Sequence, residues 1–418
     1  MNEWLVVRRS RQARADTSRS PEPIARTAVA NETPPHDHLK VGVEQADVRD
    51  GLQDWRDIET AAPPMPMSLI EPLSCEPADA QELLRQSRQA GIAWGLRAMG
   101  VDLSKFDGAG VSVAVIDTGI KRSHAAFAHI PQDAILEADF TGKPNGVHGF
   151  GTAEDSRGHG THCAATICGG VVDGVRIGVA PKIDRLLIAK AIGGDRGSAA
   201  LLEALSWAVA ERVDVISMSL GFDFVGYRGT LIGKGVHDKT ATSMALTAFR
   251  DNIRVFDAWM EELRSRRKQR YDPLVIAASG NESGRPTYVV EKASPSEAES
   301  VIAVGAIDET FAVAPFSNIH PSFVGPGVNV LSAGIHEELA VMSGTSMACP
   351  HIAGLAALYW QAARLSGAAT SARVLRMMEN SADENFGPFQ SHVQADVGMG
   401  MPRAPEGLKT SVQSRSAG

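Results

Sequence analysis

Three side chains that together can perform acyl transfer stand in short, glycine-flanked stretches of this sequence: the carboxylate Asp117, the imidazole His159 and the hydroxyl Ser346. A hydroxyl attacks a carbonyl only when a base takes its proton, and that base needs a third group to set its tautomer. Each residue also has a bland reading. Asp117 ends the apolar run Val113-Ala114-Val115-Ile116, where an aspartate is often a turn or cap residue. His159 lies in Gly158-His159-Gly160-Thr161-His162-Cys163-Ala164, whose glycines let backbone approach the ring. Ser346, in Gly344-Thr345-Ser346-Met347-Ala348-Cys349-Pro350-His351, precedes an apolar helical run over 352–359 and by itself reads as an N-cap. At a catalytic site the same helix start stabilises negative charge and aims the serine's own N–H at a developing oxyanion. Asn281, in Ser279-Gly280-Asn281-Glu282, is either a left-handed turn residue or a side-chain donor to that oxyanion. His159 and His162, three apart, raise a metal-dependent hydrolase as the rival chemistry. No acidic residue completes a zinc-hydrolase pattern and Cys163 and Cys168 lack zinc-ligand spacing, so His162 reads as structural and no metal ligand is assigned.

The elements that must position these groups follow from hydrophobic patterning. From residue 110 onward, apolar runs over 111–116, 185–192, 213–217, 274–278 and 301–307 alternate with helical stretches from about 161 and over 198–211. Strands apolar on both faces and separated by helices predict an α/β fold with a mainly parallel central sheet and helices on both faces. In such sheets functional groups gather at the carboxyl ends of strands, which is where Asp117 and Asn281 fall. Residues 1–75 read as a small α+β unit with strands over 4–7 and 41–44 and a short helix over 46–57. Pro63, Pro64, Pro66, Pro72 and Pro77 mark an extended segment. A linker and lead-in helix is expected over 76–93, the main body over 94–407 and a disordered polar tail over 408–418.

Composition narrows the class. The 418 residues are 44% hydrophobic and 22% charged, enough apolar material for a large core. With 41 basic against 49 acidic residues the net charge is −8, which argues against a nucleic-acid partner. No apolar run approaches membrane-spanning length, so no membrane partner is expected. Four cysteines are too few for a disulfide scaffold. The first thirty residues lack the apolar core of a signal peptide, which favours a cytoplasmic protein with secretion as the alternative.

The chain order Asp117, His159, Ser346 is that of subtilisin and not that of the chymotrypsin-like or α/β-hydrolase enzymes. Val-Ile-Asp117-Thr-Gly, Gly-His159-Gly-Thr-His-Cys-Ala, Ala-Ala-Ser-Gly-Asn281 and Gly-Thr-Ser346-Met-Ala-Cys-Pro-His together resemble the subtilisin-like serine protease (subtilase) family. Ser217-Met218-Ser219-Leu220-Gly221 is similar to that family's substrate-lining strand and Gly178-Val179-Ala180-Pro181 to another of its segments. The likeness runs from about Trp94 to Gly400. It implies a serine endopeptidase in which Ser346 attacks, His159 carries the proton, Asp117 orients His159, and Asn281 with the Ser346 N–H forms the oxyanion hole. It implies that Ser219, Leu220, Gly221, Ser279 and Gly280 bind an extended peptide or protein substrate as an added strand, with no redox or nucleotide cofactor required. Residues 1–75 would be a prodomain, with 61–72 entering the cleft, so that the chain's own N-terminal segment is a partner and processing is autocatalytic; a plain accessory domain is the alternative. The cellular task would be general proteolysis or maturation of a peptide precursor.

Two departures stand out. Many relatives carry a calcium-binding Asp nine residues after the catalytic Asp, where this chain has Ala126, and the loop feeding that site reads Val171-Val172-Asp173-Gly174. The hard oxygen ligands are missing, so the usual site looks lost while a structural calcium elsewhere stays open. An enlarged connection over 222–272 begins with Gly226, Gly229, Gly233 and Gly235 and continues as a helix over 243–267. Met244, Leu246, Phe249, Ile253, Phe256, Trp259, Met260 and Leu263 predict one buried face packed on the sheet. The sharper reading makes 222–237 a rim or lid. Arg264, Arg266, Arg267, Lys268 and Arg270 read as a solvated helix end, and the cysteines as small core residues.

Overall fold

The computed structural model describes residues 2–9, 39–46, 58–74, 77–265, 271–336, 338–367, 369–384 and 387–406. The expected helix over 46–57 and tail over 408–418 fall outside these residues, except that Ala46 closes a strand, and so do Arg266 to Arg270.

The chain opens with β1 (Asn2–Arg9), β2 (Leu39–Ala46) and β3 (Ile58–Ala62), antiparallel in the order β2-β1-β3. The short strands β4 (Met67–Leu69) and β5 (Leu73–Ser74) follow, then helices α1 (Pro77–Ala90) and α2 (Trp94–Ala98). The proline-rich stretch is thus not a free linker. Proline removes a ladder donor, which confines such a stretch to short pairings at an edge, and this one takes two of them on the catalytic body.

The body contains β6 (Ser112–Asp117), β7 (Ile135–Asp139), β8 (Val147–His148), the tight hairpin β9 (Val171–Val172) and β10 (Val175–Arg176), β11 (Arg185–Lys190), β12 (Val215–Met218) and β13 (Leu220–Phe222). It continues with β14 (Leu274–Ala278), β15 (Val301–Ile307), β16 (Phe323–Pro326), β17 (Val330–Ala333) and β18 (Leu339–Ser343). Eight of these form one sheet in the order β16-β15-β14-β12-β6-β11-β7-β8, parallel throughout except for the final β7–β8 pair. Helices α3 (His159–Cys168), α4 (Ser198–Ala210), α5 (Phe224–Gly233), α6 (Asp238–Ser265), α7 (Thr345–Leu365), α8 (Ser371–Glu384) and the short α9 (Gln394–Val397) complete it.

Side-chain alternation along β6 explains the layering. Val113 and Val115 enter a core shared with Ala164, Ile167, Met347 and Ile352 of α3 and α7, whereas Ala114 and Ile116 enter a second core with Leu201, Leu205, Phe256 and Trp259 of α4 and α6. Burying each such large aliphatic or aromatic side chain stabilises by about 1.5–3 kcal/mol. The expected mainly parallel sheet with helices on both faces is present.

The enlarged connection departs from expectation in one respect. Met244 and Leu246 are 45% and 59% exposed, and the buried stripe instead runs through Ala241, Ala245, Ala248, Asn252, Val255, Phe256, Trp259, Met260 and Leu263. Small residues lead this stripe because α5 lies against the first turns of α6, Leu231 packing with Ala241 and Ala245. On its later turns α6 touches β1, β2 and β3. The insertion therefore carries the N-terminal sheet as well as packing on the body.

Candidate active site

The parallel pairing of β6 with β11 and β12 brings Asp117 to the carboxyl edge of the sheet. His159 opens α3 opposite it, and the approach is close because Gly160 has no side chain: a Cβ there would lie 2.3 Å from the Gly119 carbonyl oxygen. His159 Nδ1 lies 2.7 Å from Asp117 Oδ1, which also accepts the Thr118 N–H at 2.7 Å. Both side chains are buried. Burial works against a charged imidazole, but the charge and hydrogen bond of Asp117, with Asp155 and Glu71 further off, outweigh it and raise the His159 pKa above its ordinary 6.5. Among the described residues His159 Nε2 has no hydrogen-bond partner.

Asp155 stands outside the sequence motifs, yet it organises this corner. Its carboxylate accepts from Thr118 Oγ1 (2.9 Å), Thr161 Oγ1 (2.7 Å) and the N–H groups of Arg157, Gly158 and Thr161 (2.9, 2.9 and 3.0 Å). Burial works to raise its pKa, and these donors hold it below the usual carboxylate value. Thr118 Oγ1 in turn accepts the Gly160 N–H at 2.9 Å, tying the turn after β6 to the start of α3. The signal was present: a carboxylate four residues ahead of a glycine-flanked helix start is positioned to cap it.

Ser346 is the second residue of α7, among the first-turn amides that have no intrahelical acceptor. Pro350 sits inside this helix and has no N–H to donate back to the carbonyl four residues earlier, which is that of Ser346. Two side chains fill the gap: Ser219 Oγ (3.1 Å) and Cys163 Sγ (3.4 Å) donate to the Ser346 carbonyl. Ser219, expected to face substrate, therefore turns its hydroxyl inward beneath the serine. Asn281 Oδ1 accepts the Thr345 N–H (2.9 Å) and Oγ1–H (3.0 Å), so its Nδ2 faces the groove. A Cβ on Gly344 would lie 2.9 Å from that Nδ2, so glycine keeps the amide in place. Gly280 donates its N–H to Thr345 Oγ1 at 3.1 Å, and Ser279 is fully buried. These two brace the turn that presents Asn281.

The groove is filled by the chain itself. β4 pairs antiparallel with β13, Leu69 opposite Leu220, Ser68 opposite Gly221 and Met67 opposite Phe222, and β5 pairs with β18 on the far side. Between the two pairings, Ser346 Oγ donates to the Ile70 carbonyl at 2.9 Å and Asn281 Nδ2 to the Glu71 carbonyl at 3.0 Å. The Ile70 side chain is buried over Gly221, whose Cβ position lies 3.8 Å from Ile70 Cγ1.

The metal reading of the two histidines does not hold. His162 is buried with Nε2 3.1 Å from the Val330 carbonyl, and burial pushes its pKa down to about 3. Among the described residues Asp117, His159 and Cys163 could converge on an ion, but the pair already uses Nδ1, and burial with the Asp117 charge pushes the Cys163 thiol up, away from the thiolate a metal needs. Burial likewise raises Cys349 to about 11. Of the two segments where the family resemblance would put calcium, one has Ala126, and in the other the Asp173 carboxylate accepts from Arg88 Nη2 at 2.9 Å. No helix among the described residues is long and apolar enough to cross a membrane.

Asp117 and His159 pair at the carboxyl edge of the parallel sheet, and Cys163 lies between them and the helix-start serine, its Sγ 3.9 Å from His159 Nδ1 and 3.4 Å from the Ser346 carbonyl. The profile of the Subtilase family matches residues 108–400. The chain is 32% identical over 257 residues to the "Major intracellular serine protease" of Bacillus subtilis, covering 60% of this chain and 68% of that one. It is 34% identical over 289 residues to the "Cuticle-degrading serine protease" of Arthrobotrys oligospora, covering 66% and 57%. It is 32% identical over 268 residues to "Subtilisin DY" of Bacillus licheniformis, covering 63% and 81%. The chain belongs to the subtilase family, and its class is that of a subtilisin-like serine endopeptidase.

Proposed function

We propose that the enzyme cleaves peptide bonds through an acyl-enzyme formed on Ser346 and that residues 1–75 are a prodomain whose strap, 67–74, blocks the cleft. Ser346 Oγ attacks the scissile carbonyl carbon while its proton passes to His159 Nε2. Asp117 holds the imidazole through Nδ1 and stabilises the imidazolium. Asn281 Nδ2 and the Ser346 N–H stabilise the oxyanion. The C–N bond then breaks as His159 returns the proton to the leaving amine, and water, activated by the same imidazole, releases the acyl group. Substrate pairs along Leu220 and Gly221, and selectivity comes from the pockets beside that strand.

The observation that carries the reading is the divided hold on the strap: Ser346 Oγ serves the Ile70 carbonyl and Asn281 Nδ2 the next one, Glu71. A productive complex needs both groups on one carbonyl, with the serine proton directed at His159. The strap thus occupies the site of a substrate without presenting a bond for attack. At the calcium loop the present side chains support a fold that does not depend on that ion.

Intact-mass analysis of wild type beside Ser346→Ala tests both parts. Wild type is expected to shed an N-terminal fragment ending near the strap and to react with a fluorophosphonate, whereas Ser346→Ala stays full-length and unlabelled. A full-length wild type with full peptidase activity would overturn the prodomain reading, and labelling retained in Ser346→Ala would overturn the nucleophile.

A further inference from the structure

The strap also displays what stands on the leaving side of the cleft. Glu71, the residue directly after the one whose carbonyl meets Ser346, places Oε1 3.2 Å from Arg157 Nη2. The partners are 86 residues apart in sequence and on different units, so nothing local brings them together. Arg157, two residues ahead of His159, is set by its backbone: its N–H and that of Gly158 both bond Asp155 Oδ1 at 2.9 Å. The guanidinium therefore rises from the same loop that starts the histidine helix.

We propose that Arg157 makes the enzyme prefer substrates with an acidic side chain immediately after the cleaved bond. This rests on the proposed peptidase function. β4 lies antiparallel on β13, the edge where an extended peptide would add, and Ser346 Oγ meets the Ile70 carbonyl, so Ile70 and Glu71 take the register of the residues on either side of a scissile bond even though Asn281 holds the Glu71 carbonyl instead. Backbone pairing is blind to sequence, which leaves discrimination to side-chain contacts. Arginine's planar, permanently charged fork matches a carboxylate and opposes a lysine at the same place. Both side chains are half exposed, at 48% and 66%, so the preference is modest, about two- to fivefold for glutamate over glutamine.

The test uses the full chain and quenched peptides of the form Met-Ser-Leu-Ile-Xaa-Ala with Xaa glutamate, glutamine or lysine, rates being normalised to fluorophosphonate-reactive Ser346. Wild type is expected to rank glutamate above glutamine above lysine, with the cut located by mass spectrometry between Ile and Xaa. Arg157→Gln should flatten the ranking and Arg157→Glu invert it toward lysine. An identical ranking in all three proteins, or indifference in wild type, overturns the proposal. The strap supplies an independent readout: Glu71→Lys should speed labelling of Ser346 in the full chain, and Arg157→Glu combined with Glu71→Lys should slow it again. Equal labelling rates in the single and double variants count against the pair. Labelling with a flat peptide ranking sinks the charge preference alone, whereas no labelling and no cleavage by any variant sinks the peptidase reading and this inference with it.

Discussion

The two units of this chain are held together in opposite ways. The catalytic body buries both faces of its sheet, with separate cores above and below β6. Among the described residues the N-terminal sheet has a small core of its own, Val6, Ala46 and Ala61 with Trp4 and Ile58 beside it, and it sends Leu5 and Val7 from the other face of β1 into the core of the body. It keeps an Arg8–Glu44 ion pair of its own and takes further polar ties from the body. Arg196 of the body, 6% exposed, reaches Glu3 at 2.6 Å, Glu203 at 2.8 Å and the carbonyls of Phe140 and Lys143 at 3.0 and 2.8 Å. Asn252 Nδ2 holds the Pro63 carbonyl at 2.8 Å, while Ser198 Oγ accepts the Met65 N–H at 2.8 Å and donates to Asn252 Oδ1 at 2.6 Å. In the described residues the N-terminal unit thus takes both apolar burial and polar contacts from the body.

Four measurements test that contrast. Asn281→Ala removes the oxyanion donor and, with it, the hold on the strap's Glu71 carbonyl; in enzyme freed of the strap it should lower kcat by about a hundred- to a thousandfold, the range known for the equivalent donor in subtilisin, with KM little changed. A loss confined to KM would remove Asn281 from the oxyanion hole. Glu3→Ala takes the N-terminal partner from Arg196, which keeps Glu203 and two carbonyls of the body, and should weaken N-terminal docking by about 2–3 kcal/mol, read as roughly 30- to 150-fold faster labelling of Ser346 in the full chain. The melting midpoint of the body should move far less; a body that melts with the docking would erase the distinction. A third measurement is the pH profile. His159 must be neutral to act as base and its pKa is raised, so kcat/KM should fall as pH drops through a value above 6.5. Asp155→Asn removes a charge that supports the imidazolium and should move this acid limb to lower pH; a limb that stays put denies Asp155 that influence. The smallest expected effect is that of a calcium chelator, which should leave the body's melting midpoint where it is; a clear fall would reveal a calcium site away from Ala126.

The same contrast governs how much could be read from sequence. The strands β14 and β15 have the boundaries that their apolar runs predict, because burial on both faces writes itself into consecutive residues. Asp117, His159, Asn281 and Ser346 stand in distinctive words, and the fold brings all four to one edge. What escaped notice depends on partners far away in the chain. β4 and β5, three and two residues long, are strands only because β13 and β18 offer them edges. The inward turn of Ser219 follows from a missing N–H at Pro350, 131 residues later. Met244 and Leu246 fit a helical period yet face solvent, since the α5 contact favours the alanine stripe instead.

The strap's attachment gives the prodomain reading a consequence of scale. While the backbone is continuous, a cleft-filling segment faces its groove at an effective concentration in the millimolar range, which a free substrate must exceed to compete. One cut between the strap and α1 turns that unimolecular encounter into a bimolecular one. At micromolar protein the same contacts then work against about a thousandfold dilution. The strap needs no change of shape to act as a switch, because breaking one covalent bond alters how often it returns.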